Sequence, residues 1–413
     1  MYTYIRARIG ELDLHISALC MFAYLYICKS SILVVASYFD LNTIVAGIII
    51  AGFAGAFLVY TFANPDKICI DGIILVAAAI LFFYVTLLIH PEYLSRYRDL
   101  AHDGSHSAWR IFSFGGPIYA YYFIRLFREE EAKLISLMKA IAYTILLCDS
   151  WAIFSDKTPH REGFEYSMTL GYQMALGAIL FLSFYFYENN LTYLVLSLIC
   201  MVVVVVCGSR ASVVGIVVFL ALYYMWKREI GVKQLLMIFV AVAGVIVYKS
   251  PKIVWALYKL FSAVGLRSRT LYYIAGGDIL ATDRSRQRTI WPSMVIKMKE
   301  MSIFKGYGAY GDRYYLSDEF VYAHNIFLEV ILSFGFIIGG ALLIWIIYQF
   351  ARVILKNRDI YGLITIAWGS FSLGRLMFSS TIWEEMSFWI FIAMLVNCAI
   401  RRKRGIVTEE PDT

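Results

Sequence analysis

The stretch ICIDGIILVAAAILFFYVTLLI, residues 68–89, decides the fold class, because it carries only one charged side chain, Asp71. About 20 mostly apolar residues are enough for an α-helix to cross the hydrocarbon core of a bilayer. The rest of the chain is similar, since 61% of its 413 residues are hydrophobic and only 16% are charged. A soluble domain needs about a quarter of charged residues to cover its surface. The composition therefore excludes a soluble globular protein and predicts an all-α integral membrane protein.

Similar apolar stretches recur along the chain and predict about twelve membrane-spanning helices. The two closest spans are separated only by Gly208, Ser209 and Arg210. The predicted spans are residues 14–34, 42–62, 68–89, 108–126, 133–154, 168–187, 191–207, 209–227, 233–248, 324–350, 359–378 and 382–400.

The positions of lysine and arginine predict the orientation of these spans. Basic residues in short loops favour the cytoplasmic side, and a cytoplasmic N-terminus places most of them there. An even number of spans returns the C-terminus to that side, where the tail begins with Arg401 and Arg402. We therefore expect a multi-pass protein of the bacterial inner (cytoplasmic) membrane with both termini in the cytoplasm. This orientation explains the net charge of +7 without nucleic-acid binding.

This topology divides the chain into four regions. Residues 1–248 hold about nine spans, and residues 324–400 hold about three more. Between them, residues 249–323 form one long loop on the periplasmic side, and residues 401–413 form a basic cytoplasmic tail.

Part of the long loop has the periodicity of an amphipathic helix. Pro292 is expected in the first turn of this helix, where proline is well tolerated. The helix either lies on the membrane surface or packs on the helix bundle. The apolar residues that recur at helical spacing are Ile290, Trp291, Met294, Val295 and Met298.

The break between the two closest spans carries the first candidate functional residue, Arg210. An arginine buried alone in lipid is costly, so Arg210 must face water, an anion or a carboxylate. Gly208 and Ser209 leave room for a ligand to approach the backbone, and the following helix N-terminus favours an anion. The pattern indicates a phosphate site, with an arginine snorkelling to the interface as the alternative.

A histidine, His324, stands where the long loop enters a predicted span. An imidazole titrates near neutral pH and can accept a proton from a sugar hydroxyl. At the lipid–water boundary it would meet a lipid-linked substrate. The alternative is a histidine at a helix start in the belt of interfacial aromatic residues.

The long loop also contains a basic stretch with Arg284, Arg286 and Arg288, followed by a glycine-rich segment and Arg313. The guanidinium fork matches phosphate oxygens, so an arginine cluster suits a pyrophosphate. A solvated basic loop is the alternative for each single arginine.

No metal site is expected from the sequence. His90, His102 and His106 share one short outer loop, but their spacing matches no familiar site. The seven cysteines lie in or beside apolar runs without a CxxC pair, and we interpret them as small core residues.

In this order and on one side of the membrane, these motifs resemble the bacterial O-antigen ligase and O-antigen polymerase superfamily over about residues 165–350. The resemblance implies a GT-C-type membrane glycosyltransferase fold and an inverting, metal-independent enzyme without a cofactor. The arginine of the first motif matches Arg210. The arginine before the tryptophan best matches Arg288, with Arg286 and Arg284 close to it in register. The histidine matches His324. Ala211 replaces a glycine that is common in the family.

The mechanism that follows uses an undecaprenyl-pyrophosphate-linked oligosaccharide donor and a lipid-linked acceptor. Arg210 and Arg288 would hold the pyrophosphate, and His324 would orient or deprotonate the attacking hydroxyl. The expected substrate-binding residues are Arg284, Arg286, Arg313, Ser209 and Asn325, and Tyr307, Tyr310, Tyr314 and Tyr315 are candidates for stacking on sugar rings.

Three functions follow from these observations, in order of preference. The first is a repeat-unit polymerase of O-antigen, which would act with a flippase and a chain-length regulator in lipopolysaccharide biosynthesis. The second is a ligase that transfers the glycan to lipid A-core. The third is a transporter or flippase of lipid-linked sugars, which the scarcity of charges inside the predicted spans disfavours.

Overall fold

The computed structural model describes residues 18–41, 44–52, 55, 68–93, 116–154, 160–161, 164–165, 168–207, 210–227, 251–263, 271–272, 275, 284–301, 303–315, 323 and 325–405. These residues are almost entirely helical. The helices of the N-terminal half are α1 (Ala18–Tyr38), α2 (Ile70–Ile89), α3 (Tyr119–Arg125), α4 (Glu131–Phe154), α5 (Met168–Glu188), α6 (Leu191–Val206) and α7 (Arg210–Lys227). Those of the C-terminal half are α8 (Pro251–Ala263), α9 (Arg284–Glu300), α10 (Gly311–Tyr315), α11 (Ile326–Lys356), α12 (Ile360–Leu376) and α13 (Met386–Lys403). Two short antiparallel strands, β1 (His160–Arg161) and β2 (Phe164–Glu165), pair between α4 and α5.

The chain is a helical integral membrane protein. Within the described ranges, four helices are long and apolar enough to cross a membrane, namely α2, α4, α5 and α11, and α1, α6 and α7 contain shorter apolar segments. The described helices match most predicted spans to within a few residues. The predicted span at 233–248 and parts of those at 42–62 and 108–126 fall outside the described residues. Helices α12 and α13, at the predicted spans 359–378 and 382–400, are described but are not among these apolar helices. The total of about twelve therefore stays a prediction.

Helix α5 lies at the centre of the bundle, where it packs against α4, α6, α7 and α12. Small residues permit this packing, because an α-carbon without a side chain lets two helices approach closely. Gly177 of α5 faces Ile145 and Cys200, and Gly374 of α12 lies against the backbone of Gly215 in α7. These contacts form the tightly packed centre of the bundle.

Helix α11 is broken at Gly335, whose φ of 82° and ψ of 170° are not helical. The segment 303–308 enters this break: Tyr307 N donates to Leu332 O at 2.7 Å, and Gly308 N donates to Ser333 O at 3.1 Å. A side chain at Gly306 would come within 2.6 Å of the Gly335 nitrogen. The break therefore depends on a second stretch of backbone that satisfies the carbonyls released from the helix.

Helix α9 corrects one expectation about the long loop. It begins at Arg284, so Pro292 lies inside the helix and not in its first turn. The basic residues before the proline continue the helix in the N-terminal direction, and the proline removes only one internal hydrogen bond. Met294 is buried against Ala323 and Leu332. This face packs on the bundle, whereas Val295 on the predicted apolar stripe is 43% exposed.

Candidate functional site at one end of the bundle

The helices define two ends of the bundle. Helices α7 and α12 are antiparallel: Gly215 meets Gly374, and Trp226 Nε1 donates to Asn357 O at 2.5 Å. We call the end with Asn357 the basic end, where α3, α7, α11 and α13 finish. We call the opposite end the motif end, where α5, α7, α11 and α13 begin.

The first predicted arginine belongs to the motif end. Arg210 is the first residue of α7. It precedes Gly215 by five positions, which corresponds to about 7.5 Å along a helix axis. Because Gly215 already contacts Gly374 near the end of α12, the backbone of Arg210 lies at the level of the segment that follows α12. Ser209 lies outside the described residues.

The remaining predicted arginines are carried by helices of the long loop. Arg284, Arg286 and Arg288 occupy the first turns of α9, and Arg313 lies in α10. Through Met294, α9 packs against the beginning of α11. We call α9 the arginine helix, because it carries Arg284, Arg286 and Arg288. The structure therefore brings the backbone of the arginine helix to the motif end, where α11 begins.

The start of α11 is fixed by Asn325, which was expected to bind substrate. Its side-chain Oδ1 accepts hydrogen bonds from Phe327 N at 2.9 Å and Leu328 N at 3.3 Å. Asparagine is a favoured N-cap because its side chain satisfies N–H groups that have no partner within the helix. The carbonyl of Asn325 thus has a structural role, and its amide Nδ2 is the group left for a substrate. The adjacent His324 lies outside the described residues.

A buried carboxylate one turn later anchors the same helix. Glu329 is 1% exposed. Its carboxylate accepts hydrogen bonds from the hydroxyl of Thr381 and from Ile382 N, the latter at 3.2 Å. A carboxylate at the first turn of a helix is also favoured by the helix dipole. Glu329 thus ties α11 to the segment 377–385, a contact between distant segments that the sequence does not reveal.

The glycine-rich segment, residues 304–311, has a structural role that the sequence did not reveal. The N–H groups of Tyr307 and Gly308 are bonded to α11, Ala309 N donates to Thr86 Oγ1 at 3.1 Å, and Gly311 N donates to Gly308 O at 3.2 Å. Gly308 has a φ of +83°, and a side chain there would collide with Thr86. Its glycines serve close packing, so phosphate binding in this region would rely on arginine side chains.

Two of the tyrosines proposed to stack on sugars are used in packing. Tyr310 is fully buried, between Phe83 and Trp383. Tyr307 is half-buried and donates from its hydroxyl to Lys297 O at 3.0 Å. Tyr314 is 41% exposed and remains accessible. Apolar rings fill the gap between α2, the loop and α11, which sequence periodicity could not predict.

A small cavity of about 70 Å³ lies inside the motif end, between α1, α4, α5, α12 and the start of α13. Arg375 lines this cavity, pairs with Glu385 at 2.7 Å and lies over the ring of Tyr172. Nearby in α4, Asp149 is fully buried. Asp149 and Arg375 lie near the ends of the predicted spans 133–154 and 359–378, and the structure shows that Asp149 is enclosed by the bundle.

The outer edge of this end carries a further charged contact after α2. His90 Nδ1 lies 3.0 Å from Glu92 Oε1, and its ring stacks on Tyr93. The Glu92 backbone N–H, and then His90, hydrogen-bond the Glu92 carboxylate and lower its pKa below the usual range. The contact is an ordinary surface pair.

The basic end, by contrast, is closed by ion pairs. Arg125 is 1% exposed and donates to Asp71 and to Asn397. Arg401 pairs with both Glu131 and Asp359. These contacts join the ends of α3 and α13 to the starts of α2, α4 and α12. Not every polar atom there is satisfied, because the buried Arg401 Nε and Asn357 Nδ2 have no hydrogen-bond partner among the described residues.

No protein-family model matches the chain. Among curated proteins, the chain is similar to the teichuronic acid biosynthesis protein TuaE of Bacillus subtilis (strain 168), with 28% identity over 236 residues. The similar region covers 53% of this chain and 46% of that protein, so the chain matches less than half the length of this relative.

Proposed function

We propose that this chain is a membrane glycosyltransferase of surface-polysaccharide biosynthesis that acts on glycans linked to undecaprenyl pyrophosphate. The similarity to a protein named for teichuronic acid biosynthesis supports a role in making surface polysaccharide. One structural observation supports the site most directly: Arg210, the arginine helix α9 and Asn325 all belong to the motif end. At the opposite end, the buried Arg125 and Arg401 are paired with carboxylates.

The proposed reaction is an in-line displacement at the anomeric carbon. The acceptor hydroxyl oxygen forms the new glycosidic bond, and the bond from the anomeric carbon to the pyrophosphate oxygen breaks, with inversion. His324 accepts the hydroxyl proton. Arg210 and Arg288 stabilise the negative charge on the leaving undecaprenyl pyrophosphate. Arg284, Arg286 and Arg313 supply further positive charge along the lipid-linked substrate, and no metal or cofactor takes part.

Within this chemistry, a repeat-unit polymerase is preferred and a ligase is the alternative. Deletion of the gene in its host separates the two. A polymerase deletion leaves core with a single repeat unit on a gel of surface polysaccharide. A ligase deletion leaves core without any repeat while long chains accumulate on the carrier lipid.

The site is tested with purified protein in detergent and an undecaprenyl-pyrophosphate-linked glycan as substrate. We expect Arg210→Ala to lower turnover by about 10²–10³-fold, the scale of deleting one group that stabilises transition-state charge. Arg404→Ala is the matched control, because Arg404 pairs with Glu129 at the exposed basic end. Near-normal turnover of the Arg210→Ala protein would contradict the proposed site.

A transporter of lipid-linked sugars remains the second candidate, and one observation favours it. The buried Asp149 and the Arg375–Glu385 pair place ionisable groups inside the bundle, as transport pathways do. Product formation in detergent decides between the candidates, since an enzyme needs no second compartment. Uptake into sealed vesicles without product formation would favour the transporter.

A further inference from the structure

Three helix ends meet around Asn357, the residue that follows α11. Trp226 Nε1, near the end of α7, donates to Asn357 O at 2.5 Å. The guanidinium of Arg402, near the end of α13, donates to Asn357 Oδ1. These two contacts bring the ends of α7, α11 and α13 together. We call the surface around them the Asn357 junction, and it is formed by residues 220–227, 345–358 and 396–403.

The Asn357 junction carries charge of one sign. Each of its three residue ranges contains basic residues and none contains an acidic residue. Asp359, which follows the second range, pairs with the buried Arg401 at 3.3 Å. The junction's own residues therefore supply no countercharge for its remaining cations. These exposed or partly exposed cations are Lys227, Arg352, Lys356, Arg358, Arg402 and Lys403.

Along α11, one face changes from apolar to basic towards the junction. Tyr348 is 55% exposed, and Arg352 and Lys356 follow it at successive intervals of four residues. Residues four apart share a face of a helix, and like charges at this spacing repel each other. The guanidinium carbon of Arg352 lies 5.7 Å from the centre of the Tyr348 ring. Tyrosine on a membrane helix favours the level of the lipid headgroups, so an anionic headgroup there would offset the repulsion.

The apolar side chains beside these cations select an amphiphilic ligand. Leu355 of α11 is 49% exposed and Met225 of α7 is 59% exposed, each within two residues of an exposed lysine. A soluble anion makes no use of such apolar surface. A lipid can lay its acyl chains along the apolar surface while its phosphate lies among the cations, and basic sites between membrane helices suit anionic headgroups in this way.

We propose that the Asn357 junction binds the headgroup of an anionic phospholipid such as phosphatidylglycerol. Lys227, Lys356 and Lys403, one from each helix, bind the phosphate oxygens, and the acyl chains lie along Leu355 and Met225. The bound lipid joins three helix ends, at the opposite end of the bundle from the arginines of the proposed reaction.

The test is thermal unfolding of the purified full chain in detergent micelles, to which phosphatidylglycerol or phosphatidylcholine is added. A ligand that binds only the folded state stabilises it, so we expect phosphatidylglycerol to raise the Tm by roughly 2–5 °C over phosphatidylcholine. Glycerol 3-phosphate, a soluble headgroup analogue, is expected to give no comparable increase. Equal Tm values with the two lipids, or an equal increase with glycerol 3-phosphate, would overturn the proposal.

Single-charge variants separate this site from a general attraction of anionic lipid to a basic surface. Lys356→Gln and Lys227→Gln change exposed side chains on two helices, and each is expected to raise the phosphatidylglycerol concentration for half-maximal stabilisation by about fivefold. Lys133→Gln is the matched control, because it removes the same charge from the basic end but Lys133 pairs with Glu130 at 3.0 Å. Equal shifts in all three variants, or no shift in either of the first two, would contradict the site. The readout is stability, so it does not depend on the proposed enzyme activity.

Discussion

The two ends of the helix bundle differ in their buried charges, in their helix breaks and in the space between their helices. At the basic end, Arg125 and Arg401 are buried and paired with carboxylates from neighbouring helices. At the motif end, Asp149 is buried with an oxygen that has no partner among the described residues. The motif end also contains a cavity and a helix broken at Gly335.

This difference indicates a division of roles. Ion pairs between buried side chains fix helices in place, and breaking one leaves an uncompensated buried charge. Cavities and discontinuous membrane helices tend to occur where a protein binds its ligands. We therefore interpret the basic end as a structural clamp and the motif end as the functional region.

The largest stability effect is expected from Arg125→Leu, which breaks the ion pair with Asp71 at the basic end. Removing the guanidinium leaves Asp71 and the buried Asn397 without their shared donor. We expect a loss of about 3 kcal/mol in the free energy of unfolding, the lower end for a broken pair because Asp71 is half-exposed. Denaturant unfolding in detergent measures it. The double variant Arg125→Leu/Asp71→Leu should recover most of the loss, and a single variant as stable as the parent would contradict the clamp.

The next effect concerns the broken helix and compares two glycines of α11. Gly335→Ala places a side chain at a φ of 82° and within 3.1 Å of Gly306 N, so we expect a loss of about 1–3 kcal/mol. Gly340 has no atom within 4 Å of an added Cβ, so Gly340→Ala should be neutral or slightly stabilising. Similar stability of the two variants would show that the break does not require glycine.

A smaller effect is expected at the anchor of α11. Glu329→Gln keeps the size of the side chain but replaces one acceptor oxygen with an amide that faces the donors Thr381 and Ile382. We expect a loss of about 1–2 kcal/mol in the free energy of unfolding, because hydrogen bonds to a charged acceptor are the stronger ones. Turnover should fall too if the anchor positions His324. Unchanged stability and unchanged turnover together would contradict the anchoring role of Glu329.

The smallest effect is expected at the exposed rim of the clamp. Arg404 and Glu129 are each about half exposed, at 49% and 51%. Solvent and salt screen such pairs, so Arg404→Ala should change the free energy of unfolding by less than about 0.5 kcal/mol. The same unfolding measurement checks this prediction. A loss as large as that of Arg125→Leu would mean that solvent exposure does not determine how much each arginine contributes to stability.

Sequence patterns predicted the positions of the helices well and the contacts between them poorly. The apolar stretch at 68–89 became α2, and the separation around Gly208 became the gap between α6 and α7. These are local properties, since hydropathy over about 20 residues decides whether a segment spans a membrane. The prediction that Pro292 lies in the first turn of its helix was wrong, because helix ends depend on only a few residues.

The sequence singled out segments for the candidate site but not the contacts around them. The motifs identified the segments that meet at the motif end. They could not show that segment 303–308 fills the break in α11, or that Tyr310 is buried against Trp383. Such contacts join residues far apart in the chain, so no local period reveals them. The roles of Arg210, Arg288 and His324 stay predictions for the kinetic experiments.

The break at Gly335 also affects how α11 fits the thickness of the bilayer. A straight helix of 31 residues would extend about 46 Å, well beyond a hydrocarbon core of about 30 Å. The part after the break has about 21 residues and a length of about 31 Å, which matches the core without strong tilting. The break at this one glycine thus lets the second part of α11 match the thickness of the hydrocarbon core. The first part, which begins after Asn325 and contains Glu329, can follow a different direction.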